Sequence, residues 1–223
     1  MSNADVDYAA ARALMVDGQV RPNKVNDPRI IAAMRDLPRE RFVPPARAPL
    51  AYSDEDVPLG GGRYLIEPMV IGRMVQIAAV KAGDRVLVVG AGTGYGAALL
   101  AACGATVTAL EQDSALLAIA RAVLPGLAPS VSLVEGKLAE GWQAGAPYDA
   151  ILIEGAVPEI PAALPAQLRA EGGRLVAVLQ PGARVGQAVL ASSAGGGRLN
   201  PQPIFDCAVP LLPMLQREPG FVF

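Results

Sequence analysis

Residues Val86–Ala101 read VLVVGAGTGYGAALLA. Four apolar residues run into Gly90-Ala91-Gly92-Thr93-Gly94-Tyr95-Gly96, and a helix-forming run follows. A strand, a glycine turn and a helix in that order form the unit that seats a nucleotide-like ligand. Glycines let the backbone approach the ligand closely, and the first N–H groups of the following helix are free to meet an anion. The stretch also sits in an uncharged run from Val86 to Leu110. That run is long enough on paper to span a bilayer. Its five glycines, four of them between Gly90 and Gly96, parse it instead as strand, turn, helix, turn and strand.

Working outward, strand-like runs recur at Arg85–Val89, Thr106–Leu110, Val131–Glu135, Ala150–Glu154 and Arg174–Leu179, with helical runs at Gly94–Ala102 and Ser114–Val123. Near-continuous Val, Ile and Leu in the strands predicts burial on both faces. The alternation predicts an α/β fold with a doubly wound, mostly parallel sheet. After Leu179 the run VGQAVLASSAGGGRLNPQPIFDCAVPLL reads as two strands around a glycine turn, an antiparallel edge that brings the sheet to seven strands. Upstream, NDPRIIAAMRDLP carries Asn26 or Asp27 as helix cap, Pro28 in the first turn and Pro38 as terminator. RFVPPARAPLAYSDEDVPLGGGRYLIEP is too rich in Pro and Gly for anything but loop or short extended pieces, and a helix follows from Pro68 to about Val80. The expected organisation is an N-terminal helical and loop extension over residues 1–80 and an α/β domain over residues 81–223.

Composition narrows the chemistry. The chain has 223 residues and a formal charge of −2, and it has no basic cluster, which argues against a nucleic-acid partner. It has no histidine, which removes His-based general bases, Ser-His-Asp triads and nearly all zinc sites, so no metal is expected. Cys103 and Cys207 lie far apart in apolar segments and read as buried thiols of a reducing cytoplasm. The start, MSNADVDYAAARALM, carries acids early and lacks a long apolar run, so neither a signal peptide nor a membrane partner is expected.

The glycine spacing bears on the ligand. A nicotinamide fingerprint counted from Gly90 would need glycine at Tyr95. Counted from Gly92 it leaves two extra residues after the strand. The tighter fit is Gly90-x-Gly92-x-Gly94, the pattern common in adenosylmethionine binders. Glu111, at the end of the next strand and followed by Gln112, can accept hydrogen bonds from ribose hydroxyls. Both cofactors carry a ribose, so Glu111 does not separate them. The plain alternative is an ordinary strand–helix turn with a solvated glutamate.

From Arg41 to Leu179 the chain resembles protein-L-isoaspartate O-methyltransferases. RFV, VPLGGGRYLIEPMV, VLVVGAGTGYGAALLA, EGWQAGAPYDAILIEGAVPEIP and QLRAEGGRLV carry the resemblance, in the right order. It implies a class I, Rossmann-like methyltransferase fold with an N-terminal extension that contributes to the substrate site. It implies S-adenosylmethionine as cofactor, with S-adenosylhomocysteine as product. The implied cofactor residues are Gly90, Gly92, Gly94, Glu111, Gln112, Gly136 and Lys137, and the substrate loop is that of Tyr64 and Ile66. The implied activity is methylation of a carboxylate of isoaspartyl residues in proteins or peptides, which begins protein repair. The alternatives are a methyltransferase for another substrate and a cofactor-binding member with impaired catalysis.

The sequence departs from the family pattern at four points. Ile66 stands where the family has the serine that meets the substrate carboxylate. Gly136-Lys137-Leu138 replaces Gly-Asp-Gly, so a donor stands where the adenine amino group would find an acceptor. Val88 replaces an acid, and Glu154 replaces a small threonine. If RYLIEP is extended, Tyr64 and Ile66 face the same side, and either the Tyr64 hydroxyl reaches the carboxylate that the serine would have met or both side chains simply pack against the cofactor domain.

Overall fold

The computed structural model describes residues 6–182, 184–194 and 197–216. The extension opens with α1 (Tyr8–Met15), capped by the Asp7 carboxylate on Ala10 N–H, and runs into a π-helical turn at Val16–Val20. Helix α2 spans Pro28–Asp36, and Asp27 is its cap, bonding the Arg29 N–H. The Pro- and Gly-rich stretch that follows forms 3-10 turns at Arg39–Phe42 and Pro45–Leu50. A short antiparallel hairpin comes next, β1 (Val57–Gly60) with β2 (Arg63–Leu65), and then α3 (Pro68–Ala78).

Seven strands form the main sheet: β3 (Arg85–Val89), β4 (Thr106–Glu111), β5 (Ser132–Glu135), β6 (Ala150–Val157), β7 (Arg174–Leu179), β8 (Gln187–Ser193) and β9 (Leu199–Asp206). Their order is β5-β4-β3-β6-β7-β8-β9. The first five are parallel; β8 and β9 are antiparallel. Helix α4 (Tyr95–Ala102) links β3 to β4, and α5 (Ser114–Leu127) links β4 to β5. The chain then crosses to the other side of β3 and lays down β6. Strand order therefore reverses between β3 and β6, and a crevice opens beyond their carboxyl ends.

The apolar strands are buried on both faces, by two separate clusters. Val86, Val88, Ala150, Leu152, Val176 and Val178 pack with α3, α4 and α5 into one core that continues through Phe42, Met34 and Met15 of the extension. Leu87, Val89, Ile151, Ile153, Leu175 and Ala177 face the other side. There the cover is a set of 3-10 turns, including Leu138–Glu140, Pro165–Gln167 and Pro213–Leu215, with Tyr148, Leu164 and Leu168. Strand β9 is an edge, with Pro201 and Pro203 opposite Ala191 and Val189.

Two local expectations need correction. The last strand does not run through CAVPLL. Strand β9 ends at Asp206, and the chain turns back across the sheet end. There Ala156 N–H bonds Pro210 O and Leu212 N–H bonds Ala156 O. Three prolines at 203, 210 and 213 limit how far a ladder can run. The alternation assumed for RYLIEP also fails, because β2 stops at Leu65. Tyr64 is exposed while Ile66 is buried.

Candidate functional site

The glycine loop lies at the reversal point. Gly90, Gly92 and Gly94 all adopt positive φ, at 71°, 57° and 96°, conformations open to glycine without strain. Gly90 N–H and Ala91 N–H both bond Leu110 O, which locks the loop to the end of β4. Gly94 precedes α4 and bonds Ala91 O.

Glu111 is fully buried at the end of β4. Its Oε2 accepts from Gly92 N–H at 2.8 Å. Its Oε1 accepts from Gln112 N–H at 2.8 Å, Asp113 N–H at 3.0 Å and Arg63 Nη1 at 2.8 Å. An ionised carboxylate offers about four lone-pair sites, and four donors meet this one. Gln112 turns its side chain to the Leu138 N–H at 3.1 Å. Gly136 donates to Glu111 O, so the backbones of β4 and the turn after β5 are tied together. Lys137 is exposed, and its ammonium pairs with Glu140 at 3.0 Å, in solvent.

Arg63 and Glu154 were not singled out as groups that act together. Arg63, from β2, is 3% exposed. Its second guanidinium nitrogen donates to Gly90 O at 2.9 Å, beside the Glu111 contact. Glu154, at the carboxyl end of β6, is fully surrounded, and burial is the main reason its carboxyl is pushed up to about 8. It reaches the Gly96 N–H in the first turn of α4, and its Oε2 is buried without a hydrogen-bond partner. Arg39 lies fully buried behind the loop, donating to Ala51 O and Ile66 O and stacking over Tyr95 with its carbon Cζ 4.8 Å from the ring centroid. The one signal for Arg63 was a cation in a glycine loop, GGGRY, upstream of an acid with no other evident partner.

Tyr64 and Ile66 meet Arg63, Glu154 and Gly155 around a cavity of about 10 Å³, at the lower limit for one water. The far wall is Val209–Leu212. Leu212 fills the space between the two strand ends: a Cβ on Gly90 would lie 3.2 Å from its Cδ1, and one on Gly155 2.5 Å from its Cγ. Among the described residues no three His, Cys, Asp or Glu side chains are placed to hold a metal. Nor is any helix there long and apolar enough to cross a membrane.

Residues 11–200 match the family model for protein-L-isoaspartate(D-aspartate) O-methyltransferase (PCMT). A protein-L-isoaspartate O-methyltransferase from Methylorubrum extorquens (strain PA1) is 43% identical over 190 residues, 85% of this chain and 82% of that protein. Another, from Koribacter versatilis (strain Ellin345), is 40% identical over 207 residues, 92% of each chain. A solved protein-L-isoaspartate O-methyltransferase superposes with a TM-score of 0.77 at 23% identity, covering 94% of this chain and 67% of its own. A PCMT from Plasmodium falciparum in complex with S-adenosyl-L-homocysteine gives 0.75 at 17%, covering 92% and 98%. At those identities the two structures bear on the fold, and it is the same fold.

The loop dihedrals and the carboxylate at the end of β4 suit an adenosyl cofactor. The space does not. Four donors already meet the Glu111 carboxylate, Arg63 bridges Glu111 to Gly90, and Leu212 sits between Gly90 and Gly155. In this conformation the residues present do not fit the group.

Proposed function

The chain belongs to the protein-L-isoaspartate O-methyltransferase family, and from that premise we propose that it methylates a carboxylate of isoaspartyl residues in damaged proteins or peptides, with S-adenosylmethionine as methyl donor, in the cytoplasm. The observation that carries this reading is the extent of the kinship: about 40% identity sustained over 92% of both chains. The Gly90–Gly94 loop and Glu111 at the strand reversal support it. So does the absence of histidine. A carboxylate with a pKa near 4 is already ionised at neutral pH, so its methylation requires no general base. The extension, through Tyr64 and Ile66, forms the substrate side of the site on this reading.

The test is transfer of labelled methyl to an isoaspartyl peptide, with the matching aspartyl peptide as control. The reading expects label in the first only, and a higher rate in Ile66→Ser. Equal label in both peptides points to another substrate. The filled crevice favours one second reading, a family member that holds isoaspartyl protein without modifying it. Peptide binding with no transfer, in the presence of cofactor, would select it.

A further inference from the structure

The crevice between β3 and β6 is filled by groups of the chain itself, and each makes a contact of the kind an adenosyl ligand makes. Arg63 donates to the Glu111 carboxylate, as ribose hydroxyls would. Glu154 brings its carboxyl to the N–H of Gly96 at the start of α4, where a ligand's carboxylate would meet a helix N-terminus. Leu212 supplies the apolar filling over Gly90 and Gly155. The three come from separate parts of the sequence, so their convergence on one crevice at the strand ends is a property of the fold.

Two of them ride on pieces that lie outside the main sheet. Arg63 belongs to a two-stranded hairpin whose turn, Gly60–Gly62, has positive φ at all three positions. Its two strands make no ladder with the main sheet and are held by Val57, Leu59 and Leu65 in the core. Leu212 belongs to the stretch Val209–Gln216, joined to β6 by two backbone hydrogen bonds, Ala156 N–H to Pro210 O and Leu212 N–H to Ala156 O. Beyond it Met214 and Leu215 are only partly buried, against the same cluster as Trp142. Neither piece supplies a strand of the main sheet, so both can move while the sheet stays intact.

On the reading that S-adenosylmethionine is the cofactor, we propose that this protein's cofactor seat is closed by its own Arg63 and Leu212, and that the cofactor enters only when Arg63 withdraws from Glu111 and the Val209–Gln216 strap lifts. The strap and the cofactor then compete for one space. Apparent affinity is the intrinsic affinity reduced by the fraction of molecules that are open.

The experiment is calorimetric titration of S-adenosylhomocysteine into the full-length protein, into Leu212→Ala and into Arg63→Gln, each first shown to melt cooperatively. Both variants should bind about tenfold or more tightly than the wild type, because each raises the open fraction. Trp142 is the only tryptophan and lies beside the strap's anchoring cluster. Its emission should shift on titration of the wild type, with the midpoint that calorimetry gives. If Arg63→Gln does not fold with Glu111 unpaired, Leu212→Ala carries the test, since it leaves that ion pair in place. Equal affinity in wild type and Leu212→Ala overturns the gate and leaves the proposed function standing. No binding by any folded variant overturns both.

Discussion

The Glu154 carboxyl occupies the space that a Cβ on Gly96 would need, so glycine at 96 is what lets Glu154 hold that position. An alanine at 96 has to evict a buried acid from the first turn of α4. Gly96→Ala should cost about 1–3 kcal/mol, the usual penalty for overpacking. Glu154→Ala in the same chain should recover most of it, because residues in contact couple. Denaturant titration of the two single variants and the double one measures the coupling; additive losses would contradict the contact.

The same acid sets a pH dependence. Burial raises the Glu154 carboxyl to about 8, against a reference of 4.5, with Arg63 and Arg39 opposing the rise and Glu111 adding to it. Between those values the folded state holds a proton that the unfolded state has lost. This stabilising contribution is fully present below about pH 4.5 and lost as pH rises through about 8. Glu154→Gln keeps the shape and cannot ionise. Its melting temperature should fall less than that of the wild type between pH 6 and 9, a window of about three units around the raised value. Parallel curves would mean that Glu154 is ionised in the folded protein throughout.

Arg63 and Glu111 form an ion pair with side chains 2% and 0% exposed. Removing one member strands a buried charge, so Arg63→Met should destabilise by about 3–5 kcal/mol. Arg63→Met with Glu111→Gln should cost less, since no charge is stranded and the amide oxygen still accepts from part of the backbone N–H set that Glu111 holds. Thermal and urea melts of the two proteins decide it.

Arg39 reaches two carbonyls, Ala51 O and Ile66 O, with one planar group. Lysine cannot span both. Arg39→Lys should lose about 1.5–3 kcal/mol, one hydrogen bond to a charged group. The loop held at Ile66 should become more readily cleaved by protease in the same variant.

Tyr64 is 38% exposed, so Tyr64→Phe should leave stability within about 0.5 kcal/mol. If its hydroxyl holds the substrate carboxylate, methyl transfer falls about tenfold. Unchanged transfer assigns the ring to packing against the strap.

The parts of this fold that show in the sequence are those set by neighbours along the chain. Arg85–Val89 is a strand because four apolar residues, three of them valines, run together, and the turn after it bends because Gly90, Gly92 and Gly94 allow it. Pro28 and Asp27 mark the start of α2 for equally local reasons. Arg63 meets Glu111 across 48 residues of sequence, and no spacing rule reports such a meeting. Glu111 was readable as an acceptor; what it accepts from was not. CAVPLL has the composition of a strand, and only the bridge at Ala156 shows that it leaves the sheet to lie over the strand ends.

The prolines of the last strand have a consequence for the protein in a crowd. An open sheet edge is a template on which another chain can add. A proline is tolerated on such a strand when its nitrogen faces solvent, and it has no hydrogen there to give. Pro201 and Pro203 therefore leave two gaps, two residues apart, in the row of donors that a visiting strand would have to match. The long antiparallel rim, exposed from Asn200 to Ile204 among the described residues, is made a poor template for growth by the chemistry of its own backbone.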